Sequence, residues 1–272
     1  KNIPTIQDFF THELSNKILN QHGKFTHISA NNVYAHNDNL MGFTAGVSNL
    51  LCESGVFTFE ISYLVDIVNK ALLGTIFHEH LSHHSLLPLI RFLKQHDLHL
   101  IDALHVDTQG GALVGVAIKG SNNRKQTDRL QRLIEKEEQL GTQTQEFAQL
   151  FRDNIGQLLR EFRDHMNTLA PQVNRIIGYG AARSANLLIE YLQIKDQIDV
   201  IIDSNPEKCG KYIGNSNIQI KQSNEFVFQE NDLVIPLAWV HSYKILKNLE
   251  KQSSRLDFLT IYPSVLHHKV NY

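Results

Sequence analysis

The chain has 272 residues, a formal net charge of -2 and a pI of about 6.8. Hydrophobic residues make up 42% and charged residues 20%, so the chain can bury a core and is long enough for two domains. The balanced charge provides no basic field for nucleic acid or an anionic membrane surface, and a small ligand is the expected partner. Cys52 and Cys209 form no CxxC pair, which argues against a disulfide framework or a thiolate zinc site.

The sequence has no apolar run near the roughly 18 residues that a membrane helix needs, and its first residues lack the apolar region of a signal peptide. We therefore expect a cytoplasmic protein with no membrane partner. Because the chain begins at Lys1 rather than at Met, we also expect further sequence upstream.

Residues 1–120 alternate strand-like and helix-like segments, which predicts a parallel sheet covered by helices. Strands are predicted at 25–33, 55–61, 99–106 and 112–119, and helical segments at 41–52, 63–72 and 86–96. The last two strands are expected to pair through a glycine turn at 108–111. In such sheets ligands bind beyond the carboxyl ends of the strands. The polar side chains expected at that edge are Asn31, Asn32, His36 and Glu60.

Residues 121–170 are polar and charged, and their apolar positions between 147 and 169 have the three-and-four spacing typical of an amphipathic connecting helix that ends before Pro171. A second α/β domain is predicted to follow. Its strands are expected at 173–178, 200–203, 233–239 and 258–262.

A glycine turn leads from the first of these strands into a helix. Gly178 and Gly180 could let N–H groups at the helix start face a pyrophosphate, but Arg183 stands where the third glycine of GxGxxG would fall. A plain tight turn is an open alternative. Asp203 ends the next strand, where dinucleotide folds carry a ribose-binding acid, although it also fits a simple turn.

A cluster of histidines is the most informative feature of the chain. It consists of His78, His80, His83 and His84, and Glu79 lies within it. These spacings could hold a metal, although the sequence is not HExxH, and the side chains could also be surface or hydrogen-bonded histidines. Imidazole exchanges protons near neutrality, so a third interpretation is proton abstraction from a carbon beside a carbonyl. His80, with Glu79 and His36, supplies the residue types for that chemistry.

Seven ordered motifs resemble one family over nearly the whole chain. They are DFF at 8–10, ANNVYAH at 30–36, GVFTFEISYLVD at 55–66, TIFHEHLS at 75–82, QGGAL at 109–113, GYGAARSANLL at 178–188 and DSNPEKCGKY at 203–212. The chain resembles the S-adenosylmethionine-dependent C-methyltransferases of nucleotide-linked deoxysugars. The resemblance implies an α/β fold in which part of a class I, Rossmann-like methyltransferase domain (1–120) and a connecting helix (121–171) precede a second Rossmann-like domain (172–272).

The resemblance also implies roles for individual residues. The family's base histidine corresponds to His80, with Glu79 beside it and His36 as a second active-site histidine. The residues that match segments lining the S-adenosylmethionine cofactor are Asp8, Phe9, Asn31 and Asn32. Those expected to bind the substrate are Phe77, Gly180, Arg183 and Asn186, and no metal ligand is implied.

The chain departs from the family pattern in three ways. Phe77 replaces the usual tyrosine and lacks its hydroxyl, so rate or substrate choice is expected to differ. Arg183 and Ser184 replace a more usual Lys-Gly, which keeps the positive charge but changes its geometry. The family's cysteine-rich zinc domain and its glycine-rich cofactor-binding segment are not found in these residues, so we expect an incomplete cofactor pocket in the chain as given.

The implied reaction is C-methylation of a nucleotide-linked 4-keto-deoxysugar. His80 removes the proton beside the ketone, and the carbanion that results attacks the methyl group of S-adenosylmethionine. Two alternatives remain open. The chain could be a nucleotide-sugar-binding remnant that has lost catalysis, or a metal-dependent hydrolase built on its histidines.

Overall fold

The computed structural model describes residues 3–120, 124–214, 216–252 and 254–271. The chain forms two compact units, of which the first comprises Lys1–Val65 and Glu79–Phe147 and the second Asp66–His78 and Ala148–Tyr272. Residues 121–123, where the connecting helix was predicted to begin, lie outside the described residues. The division into domains at 120 and 171 stays a prediction.

Helices and strands are interspersed along the described chain, which confirms the α/β fold class. The helices are α1 (His12–His22), α2 (Leu40–Leu50), α3 (Leu64–Asn69), α4 (Leu86–Gln95), α5 (Asp128–Leu140), α6 (Gln145–Leu169), α7 (Ala185–Leu192) and α8 (Ser242–Leu249). The strands are β1 (Phe25–Asn31), β2 (Leu51–Ser62), β3 (Leu98–Val106), β4 (Ala112–Lys119), β5 (Arg175–Tyr179), β6 (Val200–Asp203), β7 (Ile220–Gln222), β8 (Asp232–Pro236), β9 (Leu256–Thr260) and β10 (Leu266–Val270). Among the described helices, none combines the length and apolar character needed to cross a bilayer.

The first unit contains a four-stranded sheet in the order β1-β2-β4-β3. β1 and β2 are parallel, whereas β4 pairs antiparallel with both β2 and β3. The prediction of a parallel sheet over residues 1–120 is therefore wrong for β3 and β4, whereas the predicted pairing of these two strands is confirmed. The link between them is a short turn around Thr108–Gly110, and a connection of that length can join only antiparallel neighbours.

Strand β2 forms the centre of the first unit's core. Its side chains alternate, so that Phe57, Phe59 and Ile61 are fully buried while the residues between them are partly exposed. Phe59 pairs with Gly115 of β4, where an added Cβ would lie 2.1 Å from the phenyl ring. Glycine at this position therefore makes room for the aromatic ring.

The second unit contains a six-stranded sheet in the order β10-β9-β8-β5-β6-β7. Strands β5 to β9 are parallel to one another, and the edge strand β10 pairs antiparallel with β9. The strand order reverses between β5 and β8, as in doubly wound Rossmann-like folds, whose ligands bind beyond the carboxyl ends at that point. The second Rossmann-like domain is therefore confirmed.

The core of the second unit draws on separate parts of the sequence. Helix α6 contributes its apolar face, and the segment 66–78 adds a further group of buried side chains. That group consists of Ile67, Ala71, Leu72 and Leu73. Gly74 lies against the indole of Trp239, where an added Cβ would be 2.2 Å from Nε1, and its N–H donates to the Tyr262 hydroxyl at 3.3 Å.

The predicted connecting helix is two helices. Helix α5 ends at Leu140 because Gly141 adopts the left-handed conformation (φ 62°), and its N–H bonds back to the last turn of the helix. The next helix, α6, then begins at Gln145 and ends at Leu169. The predicted helix covered both segments, but the apolar spacing behind it lies within α6 and does not locate the glycine that separates the two helices.

Candidate active site

The first element of the candidate site is the helical turn Tyr34–His36, which follows β1. The chain leaves the strand through Asn32, which adopts a left-handed conformation (φ 53°) and donates its N–H to the carbonyl of Glu60 at 3.0 Å. Tyr34 is fully buried, and its hydroxyl lies 2.6 Å from the Thr44 hydroxyl. Burial raises the pKa of this phenol, so Tyr34 stays neutral and anchors the turn.

Backbone hydrogen bonds hold the histidine segment against this turn. The N–H groups of Leu81 and Ser82 both donate to the carbonyl of Ala35, at 3.1 and 3.3 Å. Ala35 immediately precedes His36, and His80 immediately precedes Leu81. As a result, the rings of His36 and His80 meet edge to face with their centroids 4.8 Å apart.

Two further histidines continue this cluster. The ring of His83 lies 6.0 Å from that of His80, and His84 packs 5.8 Å from the ring of Tyr34. His84 Nε2 is 2.9 Å from the Ser82 hydroxyl. Burial, with a smaller contribution from His83, lowers the pKa of His84 to about 4, so His84 is neutral at physiological pH.

The predicted cofactor residues fall on exposed segments of the first unit. Asp8 and Phe9 precede α1, and the side chain of Phe9 is 87% exposed. Asn31 ends β1, and both it and Asn32 are exposed. A carboxylate, an aromatic ring and two amides can bind an ammonium group, a planar base and hydroxyls, so this donor set fits part of a S-adenosylmethionine molecule.

A threonine and a glutamate meet at the same carboxyl edge of the sheet. Glu60 pairs with Asn31 across β1 and β2, and its carboxylate accepts a hydrogen bond from the Thr108 hydroxyl at 2.8 Å. Next to Thr108, Gln109 adopts a left-handed conformation (φ 51°). The QGG motif predicted a turn here, but the bond to Glu60 has no signal in the sequence.

In the second unit, the glycine turn is closed by the protein itself. The N–H of Gly180 donates to the carbonyl of Ile202 at 2.7 Å, and that of Ala181 donates to the carboxylate of Asp203 at 2.7 Å. Lys208 contacts the same carboxylate at 3.3 Å. Because both N–H groups already donate to acceptors within the protein, neither is available to a pyrophosphate. Asp203 stabilises the turn by accepting one of these hydrogen bonds.

Close packing explains the glycine at position 180. Its φ is 93°, and an added Cβ would lie 2.4 Å from the Cβ of Ala238, whose N–H donates to the carbonyl of Tyr179 at 3.0 Å. Ala238 was not singled out by the sequence, because a small residue after a strand has no distinctive pattern. Gly180 is therefore fixed by packing, which favours the interpretation of this segment as a tight turn.

The remaining predicted residues are divided between the two units, and most of them lie in the second. Arg183 is exposed, and Asn186 occupies the first turn of α7 with its side chain close to Gly214. Phe77 is half-buried, with its ring 6.2 Å from that of His78. Glu79 is half-buried beside His80 in the first unit. Among the described residues, no group of three or more His, Cys, Asp or Glu side chains could hold a metal ion.

Comparison with known proteins identifies the family. A profile of the C-methyltransferase C-terminal domain matches residues 107–262, which is more than half of the chain. The chain belongs to this family. This member of the C-methyltransferase C-terminal domain family is also 26% identical over 249 residues to the C-methyltransferase NovU of Streptomyces niveus. That alignment covers 91% of this chain and 59% of NovU, so the chain spans about three-fifths of the relative's length.

Two solved structures that align with this chain each cover about a third of it. A 1,6-didemethyltoxoflavin-N1-methyltransferase from Burkholderia thailandensis is 18% identical with a TM-score of 0.29, covering 36% of this chain and 45% of that one. A magnesium protoporphyrin IX methyltransferase from Synechocystis is 12% identical with a TM-score of 0.29, covering 36% of this chain and 46% of that one. The Rossmann-like fold of the second unit is identified from the strand order of its six-stranded sheet.

Proposed function

We propose that the chain takes part in S-adenosylmethionine-dependent C-methylation of a nucleotide-linked 4-keto-deoxysugar. The observation that carries this proposal is the edge-to-face pair of His36 and His80, which the Ala35 carbonyl holds beside the carboxyl ends of β1 and β2. A base must approach the acidic carbon closely, and a second group must hold the ketone oxygen as it gains charge. Two imidazoles side by side can divide these tasks.

In the proposed reaction, His80 is the general base. The C–H bond beside the ketone breaks, the proton goes to the imidazole of His80, and the electron pair moves into an enolate. His36 donates a hydrogen bond to the ketone oxygen, and the carboxylate of Glu79 accepts one from a neighbouring hydroxyl of the sugar. S-adenosylmethionine supplies, when bound, an electrophilic methyl group on a sulfonium. Orientation of the enolate carbon by these side chains provides much of the rate acceleration.

The two ligands are assigned to different segments. Asp8, Phe9, Asn31 and Asn32 are proposed to contact the cofactor, because their donor types fit and their side chains are exposed. Arg183 and Asn186 are proposed to bind the nucleotide-linked substrate, because an exposed guanidinium can form paired hydrogen bonds with phosphate. Phe77 and Gly180 are proposed to shape that binding surface. The expected location is the cytoplasm.

Deuterium exchange tests the role of His80 without a need for methyl transfer. The chain is incubated in D2O with uridine-, thymidine- and guanosine-diphosphate 4-keto-6-deoxyhexoses, and NMR follows deuterium entry at the carbon beside the ketone. We expect exchange with the wild-type chain and a loss of about 100-fold or more in His80→Asn, since general bases contribute on that order. His22→Gln, an exposed histidine of α1, is the matched control.

Calorimetry separates the rival functions. A catalytic protein is expected to bind both S-adenosylhomocysteine and a nucleotide-sugar. Binding of the nucleotide-sugar alone, with no deuterium exchange, would indicate a nucleotide-sugar-binding remnant that has lost catalysis. Bound zinc or manganese found by elemental analysis, with loss of activity on chelation, would instead support a metal-dependent hydrolase.

A further inference from the structure

The imidazole of His80 contacts His83, which has no role in the proposed reaction. His36 lies on one side at 4.8 Å, and His83 meets the ring of His80 edge to face at 6.0 Å, with an angle of 87° between the ring planes. All three histidines belong to the first unit. His80 is therefore in ring contact with two imidazoles, and one of them has no assigned role.

Packing alone does not explain a histidine at position 83. Its Nδ1 is buried without a hydrogen-bond partner among the described residues, while the residue as a whole is half-buried. An unpaired buried polar atom destabilises the folded state, and a phenyl ring of similar size would avoid that penalty. A histidine at this position is therefore better explained by a role of its ring nitrogens in proton transfer than by packing.

The proposed reaction creates a need for proton release. Methylation replaces a C–H bond by a C–C bond and converts a sulfonium to a neutral thioether, so one proton leaves the enzyme in each turnover. That proton first resides on His80, which must lose it before the next substrate can react. A neighbouring group that takes the proton and gives it to water would complete the cycle.

We propose that His83 carries the substrate proton from His80 to solvent. His83 accepts the proton of His80 at Nδ1 through one bridging water and releases a proton from Nε2 to solvent, so His80 regains its neutral form. Proton exchange of both His83 nitrogens with water then restores the starting tautomer. This inference rests on the function proposed for His80. Burial, together with the charge of His80, lowers the pKa of His83, so His83 holds the proton only briefly. His84, the other titratable neighbour, is neutral and hydrogen-bonded to Ser82.

Buffer dependence of deuterium exchange tests this relay. Exchange from D2O into the nucleotide-diphosphate 4-keto-6-deoxyhexoses is measured at low buffer concentration and then with increasing imidazole. In His83→Phe, we expect exchange to fall about tenfold at low buffer and to recover as imidazole replaces the missing carrier. His22→Gln should match the wild type throughout. Urea unfolding should show His83→Phe to be at least as stable as the wild type, because no buried nitrogen is left unpaired.

The outcomes separate the relay from the function on which it rests. If His80→Asn abolishes exchange while His83→Phe exchanges normally at low buffer, the relay is wrong and the role of His80 stands. A folded His83→Phe that loses exchange without recovery in imidazole also overturns the relay. Exchange that persists in His80→Asn overturns both proposals. If His83→Phe does not fold, His83→Gln is put through the same buffer series with the same expected and contrary results.

Discussion

Glu137 caps the helix that begins at Leu86. Its carboxylate accepts hydrogen bonds from the N–H of Leu86 at 2.6 Å and of Leu87 at 3.2 Å. Ser85, the residue before the helix, makes no side-chain cap of its own, and Glu137 is fully buried. A carboxylate from α5 therefore satisfies the first turn of α4, directly after the histidine segment.

Glu137→Gln should weaken this cap. An amide provides one acceptor oxygen where the carboxylate provides two, so one helix N–H loses its partner inside the protein. We expect the free energy of unfolding to fall by about 1–3 kcal/mol, measured by urea titration. Glu138→Gln, on the same helix but exposed, is the control and should lie within about 0.5 kcal/mol of the wild type.

The pH dependence of stability should carry a contribution from His84. Its pKa is about 4 in the folded chain and about 6.5 when unfolded, so the unfolded state binds more protons between these values. Stability from His84 is therefore present above pH 6.5 and is lost as pH falls towards 4, by up to about 3 kcal/mol. His84→Gln should show a shallower loss than the wild type in urea titrations at pH 7 and pH 4.5. Equal losses in the two proteins would contradict this.

Gly180→Ala should destabilise the second unit through both strain and crowding. The new Cβ would combine a φ of 93° with a 2.4 Å approach to Ala238. We expect a loss of about 2–4 kcal/mol by urea titration. Gly210→Ala provides the matched control, because its φ is 79° but nothing lies within 4 Å of the added Cβ. A loss near 1 kcal/mol is expected there, and equal losses at both positions would argue against crowding.

Asp203→Asn should loosen the glycine turn. The carboxylate accepts from the N–H of Ala181 and from Lys208 through one oxygen, and from the N–H of Asn205 through the other. An amide cannot satisfy all three donors, so we expect a loss of about 1–3 kcal/mol in urea titrations. Asp164→Asn, an exposed position on α6, should change stability little.

His36→Phe should impair chemistry without disturbing the fold. The phenyl ring can keep the edge-to-face contact with His80 but cannot hydrogen-bond to a ketone or enolate oxygen. We expect deuterium exchange to fall about 100-fold, with urea unfolding close to that of the wild type. Full exchange in the folded variant would show that His36 does not contact the reacting oxygen.

Local sequence signals predicted most of the regular structure. Periodicity and glycine turns located β1, α2, α4 and the strands β5, β6, β8 and β9 close to their observed bounds. The short edge strands β7 and β10 were not identified, since three to five residues with mixed burial carry little pattern. Strand β2 also begins earlier than predicted, at Leu51, directly after α2.

The candidate site was predictable in its residue types but not in its contacts. The motifs identified His36 and His80, and the structure places their rings together. Three relationships depend on chain segments far apart in sequence: Thr108 with Glu60, Ala238 with Gly180, and Glu137 with Leu86. Tertiary packing determines which of these residues come into contact, and the local periodicity of the sequence carries no information about such contacts.

The way the chain divides between its two units limits how the protein can be dissected. The second unit takes in 66–78 as well as everything after Phe147, and that early segment supplies Ile67, Ala71, Leu72 and Leu73 to its core. A truncated polypeptide that starts at Ala148 would leave this hydrophobic layer unfilled. Excision at one bond therefore cannot yield the second unit intact, and an independently expressed version would need the early segment restored as a peptide or by circular permutation.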